Sequence, residues 1–117
     1  LANRSPAALK YFADALLALA ADRRGREFEL HALRLGSAVI LALPGEPFTE
    51  HGLYIRNELL PGLPALVAAL GDGRAVYIPN RCNYGRGGYE TTPRSSPYSI
   101  ETGERLRDGV RALLAAL

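Results

Sequence analysis

Apolar residues recur along this chain with changing period. Ser5 and Pro6 form an N-cap and first-turn pair, and Leu9, Phe12, Ala13, Leu16, Leu19 and Ala20 then return at helical spacing until Gly25. The pattern predicts an amphipathic helix packed on a core. From Glu27 the period becomes two: in "EFELHALRLG" the residues Phe28, Leu30 and Ala32 share one face. "SAVILALPG" follows as an unbroken aliphatic run, which predicts a buried, central strand ending at Pro44-Gly45. Between the two, Gly36-Ser37 suits a two-residue hairpin turn.

Downstream, Pro47 stands in a first-turn position and "FTEHGLYIRNELLPG" carries Phe48, Leu53, Ile55 and Leu59 before Pro61 and Gly62. A short helix weakened by Gly52 is expected there. "ALVAAL" at 65–70 is too short for its period to decide between strand and half a helix, but the "GDG" turn behind it favours a strand. Residues 79–98 have no apolar period and predict a long loop of the kind that often carries function. At the end, Leu106, Val110, Leu113, Leu114 and Leu117 line one helix face, with Glu101 and Glu104 near its positive end. The expected fold class is α+β: a mixed sheet from residues near 27–43 and 65–78, packed by helices at both termini. No internal repeat is present.

Composition narrows the function classes. A chain of 117 residues fits one domain. No apolar run reaches the ~18 residues of a membrane span. Fourteen basic and twelve acidic residues are dispersed along the chain, too weak a balance for a nucleic-acid partner. A single cysteine, Cys82, excludes an internal disulfide. The absence of methionine and the start "LANRSP", without a signal-peptide pattern, read as a piece of something longer. Arginine replaces lysine almost everywhere, as in GC-rich bacterial genes.

Four of the six tyrosines fall in "YIPNRCNYGRGGYETTPRSSPYS", residues 77–99. Tyr77, Tyr84 and Tyr89, with Glu90 adjoining and Arg81 and Arg86 interleaved, form a set that can hold an oxyanion, a carbonyl oxygen or a hard cation. Glu46, one residue past the buried strand in "LPGEP", is a second candidate: a first-turn helix carboxylate, or a metal ligand or general base at the strand's carboxyl end. His31 and His51 lack a zinc spacing and read as structural or exposed residues. The "GRGG" glycines match no phosphate-loop pattern. Cys82, with arginines nearby, is a weak nucleophile candidate.

Together, "LRLGSAVILALPGEPFTEHGLYIR" and "YIPNRCNYGRGGYE" resemble the carboxyl-terminal part of the catalytic domain of the neutral/alkaline ceramidase family. The shared features are a hydrophobic strand, Pro44-Gly45-Glu46, and Tyr77 followed twelve residues later by Tyr89-Glu90. The match covers about Leu33 to Tyr89, with a weaker one at "ETGERLRDGVRALL". The resemblance implies a zinc-dependent amidase acting on a small-molecule or lipid amide, with Glu46 and Tyr77 as zinc ligands. It gives Tyr89 the role of hydrogen-bonding the reacting amide. It also implies a secreted or periplasmic enzyme with peripheral membrane contact; the residues themselves leave the cytoplasm open. "PGEPF" and "GGYETTP" replace the "PGEFT" and "YEGAST" of sphingolipid-cleaving members, which points to bacterial relatives of unassigned substrate. Neither His31 nor His51 matches the family's histidine ligands, so the zinc site requires the amino-terminal part of the same gene product. Glu46 and Tyr77 are then expected within about 5 Å of one another, close enough to share an ion. The alternatives are a non-catalytic binding module that uses the tyrosine- and arginine-rich loop, or a degenerate family member.

Overall fold

The computed structural model describes residues 5–22, 27–71 and 76–117. Helix α1 spans Pro6–Ala21 and is capped by Ser5, whose hydroxyl accepts from the Ala8 amide at 3.3 Å. Strands β1 (His31–Leu35) and β2 (Ala38–Ala42) form an antiparallel hairpin, with Leu35 opposite Ala38 and Gly36 at φ 59 in the turn. Strand β4 (Ala65–Ala68) adds to the other edge of β2 in parallel, giving the order β1-β2-β4. The fold class is α+β with a mixed sheet, and the aliphatic run is its central strand.

Strand pleating puts alternate residues on opposite faces. On the inner face Val39, Leu41 and Leu43 are buried with Ile55, Leu60, Ile78, Leu106 and Val110, and Phe28, Leu30 and Ala32 pack around them. Helix α4 (Thr102–Ala115) closes this side through Leu106 and Val110, while Leu113 and Leu114 are half-buried and Leu117 is exposed.

Several expectations are corrected. Helix α1 buries no residue, so it is not packed on the core, because α4 and the segment after β4 already fill the inner face. It ends at Ala21, and Gly25 lies outside the described residues. Pro47 does not open a helix. It belongs to a two-residue strand β3 (Glu46–Pro47), and α2 (Thr49–Tyr54) begins after Phe48. The helix then widens into π geometry over Ile55–Leu59, closed by the Leu60 amide on the Ile55 carbonyl at 3.0 Å. Tyr77 and Ile78 form β5, which leaves the main sheet and pairs with β3 instead. The bend that separates the two ladders comes at Gly45, φ 56, and at Gly71, where a Cβ would stand 2.7 Å from the Ala42 Cβ. Asp72 and Gly73 of the "GDG" turn lie outside the described residues. The segment after Pro79 is largely turns, with a short helix α3 (Arg81–Tyr84) and a 3₁₀ turn over Tyr89–Thr91.

Leu41 is fully buried at the centre of the middle strand. Leu41→Ala is expected to cost about 3 kcal/mol, the transfer term plus the cavity left behind. Urea unfolding would show this as a lower midpoint at unchanged slope.

Candidate functional site

The site begins where β2 ends. Pro44 and Gly45 are buried, and Gly45 in the left-handed region turns the chain out of the main sheet. The Glu46 amide then donates to the Val76 carbonyl at 2.8 Å and the Phe48 amide to the Ile78 carbonyl at 3.1 Å. These bonds set a parallel register in which Glu46 lies opposite Tyr77 and Pro47 opposite Ile78. Residues opposed in a ladder send their side chains to the same face. The Glu46 carboxylate is accordingly near enough for its charge to raise the Tyr77 phenol.

Tyr89 arrives from the other end of the loop. The Tyr77 amide donates to the Ser95 carbonyl at 3.0 Å, and the Tyr84 hydroxyl bonds the buried Ser96 hydroxyl at 2.8 Å, so the loop is tied down on both sides of its tip. Gly88, at φ 112, makes the turn into Tyr89–Thr91. The hydroxyls of Tyr77 and Tyr89 then form a short hydrogen bond, with ring centroids 5.3 Å apart and planes at 83°. This is the edge-to-face arrangement aromatic pairs prefer. Tyr77 is half-buried and Tyr89 is 60% exposed, so the phenol pair has one sheltered and one open member.

All three residues singled out from the sequence therefore meet. The Tyr77 phenol is pushed up to about 12, first by its bond to Tyr89, then by desolvation and by the charge of Glu46. Tyr77 has a single hydroxyl proton. A bond that raises the phenol is one that Tyr77 donates, so its proton points to the Tyr89 oxygen and the Tyr89 proton is left for another acceptor.

Behind the ladder sits a residue whose part the sequence did not disclose. His51, in α2, is 1% exposed. Its Nδ1 accepts from Arg107 Nε at 3.1 Å, and the same guanidinium donates to Asn80 Oδ1 at 2.7 Å and lies 4.7 Å over the Tyr54 ring. Arginine can only donate, so the His51 proton is on Nε2. That buried nitrogen makes no hydrogen bond of good geometry, although the Pro79 and Ile78 carbonyls lie near enough to oppose the fall in its pKa, and it packs against Gly103, where a Cβ would lie 2.7 Å from Cε1 and 2.9 Å from the Pro79 carbonyl oxygen. The cluster joins α2 and α4 to the exit of β5, two residues after Tyr77. A lone histidine beside a glycine carries no local signal for this; the residues packed on it, Pro79, Gly103 and Arg107, are 28 to 56 positions away.

The other candidates do not join the site. His31 is exposed beside Glu29, at 3.5 Å. Cys82 is exposed, and Arg81 beside it is engaged by Glu101 and Glu104 at 3.2 and 3.3 Å. Tyr84, through Ser96, is a structural tie. Among the described residues, no three His, Cys, Asp or Glu side chains converge on one point.

Burial and the Arg107 charge together lower the His51 pKa below 6.5. A histidine depressed in the folded state contributes stability that is full above its unfolded value and is lost as pH falls through the folded one. Unfolding free energy is expected to fall below about pH 6.5, and His51→Leu to flatten that limb of the profile in urea titrations. Gly103→Ala, which must displace the imidazole or the helix, is expected to cost about 1–3 kcal/mol at neutral pH, read as a lower melting midpoint.

Compared with family models, with curated proteins and with solved structures, the chain matches none.

Proposed function

We propose that this chain supplies half of the metal site of a zinc amidohydrolase of the neutral/alkaline ceramidase type. It would form the carboxyl-terminal part of a larger layered catalytic domain that cleaves an N-acyl bond. The observation that carries this reading is the convergence of Glu46, Tyr77 and Tyr89, residues 31 and 12 positions apart, on one small patch through a two-residue ladder and a phenol–phenol bond.

The donor set fits zinc in part. A carboxylate and a phenol side by side are two oxygen ligands, and zinc takes four ligands of nitrogen, oxygen or sulfur type. Two ligands remain to be contributed by histidines of the amino-terminal part of the gene product. A zinc ion bound there would supply Lewis-acid polarisation of a carbonyl and activation of water near neutral pH.

This chain's own residues have separable roles in such a site. Glu46 and Tyr77 share one face because their backbones are hydrogen-bonded through a common ladder, which fixes the point from which each side chain starts. Tyr89, mostly exposed and accepting from Tyr77, keeps its own hydroxyl proton for a substrate oxygen. That is the task of an oxyanion-stabilising donor.

The test is elemental analysis of the full-length gene product after exhaustive dialysis without chelator. About one zinc per chain is expected, falling to near zero for Glu46→Ala and by tenfold or more in affinity for Tyr77→Phe. With the Tyr77 phenol held near 12, ligation that displaces its proton makes zinc affinity rise with pH. Tyr89→Phe is expected to keep the metal and lose 10²–10³-fold in the rate of N-acyl hydrolysis. A folded, metal-free protein, or a zinc content untouched by Glu46→Ala, overturns the reading.

A further inference from the structure

The outer face of the three-stranded sheet is uncovered. The register puts Leu33 and Leu35 of β1 across from Ile40 and Ala38 of β2, and Leu66 of β4 beside Ile40, all on the face opposite the core. Leu33, Leu35 and Leu66 are 53, 56 and 60% exposed. No charged side chain interrupts these positions; His31 stands at one end. Parallel pairing as in β2 and β4 belongs to sheets covered on both faces.

A second apolar surface of the same chain is equally bare. Helix α1 has two charged residues in sixteen, Lys10 and Asp14, and they bond each other at 2.6 Å. Leu9, Ala13, Leu16, Leu17 and Ala20 are exposed at the spacing of one helix face. A helix this apolar normally lies inside a core. Its opposite side is already engaged, with the Arg94 guanidinium over the rings of Tyr11 and Phe12 at 5.5 and 5.0 Å. It does not cover its own sheet, since the leucines there are open.

The areas agree with these two vacant surfaces. The chain exposes 7803 Å², whereas a compact monomer of its mass exposes about 6,200 Å². The excess is roughly 1,600 Å², about twice what each partner gives to a standard interface. The radius of gyration, 16.5 Å, likewise exceeds the roughly 13 Å of a compact chain of this length.

We propose that the occupant of the outer sheet face is helix α1 of a second copy of this chain, exchanged reciprocally about a two-fold axis. The exposed ridge of α1 is convex and uncharged, and the sheet face is flat and uncharged. Each dimer has two such contacts, which accounts for an excess area of two standard half-interfaces per chain. Reciprocal exchange of a terminal element is a low-cost route to a closed two-fold dimer. The inference stands apart from the metal reading, under which an amino-terminal part of the gene product would cover the same faces in place of a second copy.

Sedimentation equilibrium of this chain at micromolar concentration tests it. Twice the 12.6 kDa chain mass is expected. Leu16→Asp on the helix and Leu66→Asp on the sheet are each expected to give the single mass with the far-ultraviolet spectrum retained, both positions being exposed within one copy. To identify the contact, chains carrying Cys82→Ser with either Leu16→Cys or Leu66→Cys are mixed and oxidised; the expected product is the mixed disulfide-linked pair. A wild-type chain of single mass overturns the proposal. So does a dimer untouched by Leu66→Asp, or a chain bearing both cysteines that closes its disulfide internally.

Discussion

Two backbone hydrogen bonds, from Glu46 to Val76 and from Phe48 to Ile78, hold the candidate site together. They form the shortest ladder that still fixes a register, and that register puts a carboxylate beside a phenol. The ladder exists because the chain cannot continue the main sheet past Leu43. Pro44 has no amide to donate and Gly45 adopts a conformation that side chains resist, so β2 ends and the strand direction changes. Gly71 makes the same departure on the neighbouring strand, passing within contact distance of Ala42. Both strand exits are therefore turned at residues without a Cβ, and Glu46 follows directly on the first of them. Crevices at the carboxyl ends of strands are where open α/β sheets place their ligands.

Support for the ladder comes from a second, polar layer. Helices α2 and α4 meet across His51 and Arg107, and Arg107 reaches on to Asn80, which caps α3 at the start of the tyrosine loop. Tyr84 on Ser96 and the Tyr77 amide on Ser95 bring the far end of that loop back to β5. The loop is long and lacks an apolar core, yet it is held at three points by hydrogen bonds. Such bonds contribute about 1 kcal/mol each, but more is lost when a partner is removed and its mate stays buried. This explains how a segment of glycines, prolines and serines can present Tyr89 in a defined place.

Much of this was legible in the sequence. The hairpin turn, the central aliphatic strand, the strand at 65–68 and the final helix follow from period and turn residues, which are local signals. That Glu46, Tyr77 and Tyr89 belong together was an implication of the family resemblance, while the residues alone offered Glu46 and the tyrosine set as separate candidates. What escaped was non-local. Pro47 looks like a helix start, and nothing nearby reveals that β5 will arrive to pair with its neighbour. Helix α1 shows a stripe that promises a core, but whether the core has room depends on α4, a hundred residues on. His51 owes its importance to an arginine 56 positions away and to the missing side chain at Gly103.

The unequal exposure of the two phenols divides their work. Tyr77 is fixed by its own strand and by the bond it donates to Tyr89, and that bond, desolvation and the Glu46 charge all favour its neutral form. A group so held is a poor proton donor to anything else but a well-placed oxygen. Tyr89 has one partner for its hydroxyl, sits on a single 3₁₀ turn behind two glycines with positive φ, and is open to solvent. Because Tyr77 donates to it, its own proton is left for an incoming oxygen without breaking the bond between the phenols. The pair is thus built so that the inner member sets the geometry and the outer member can offer its proton, a division that requires both hydroxyls and that a Phe at either position would remove.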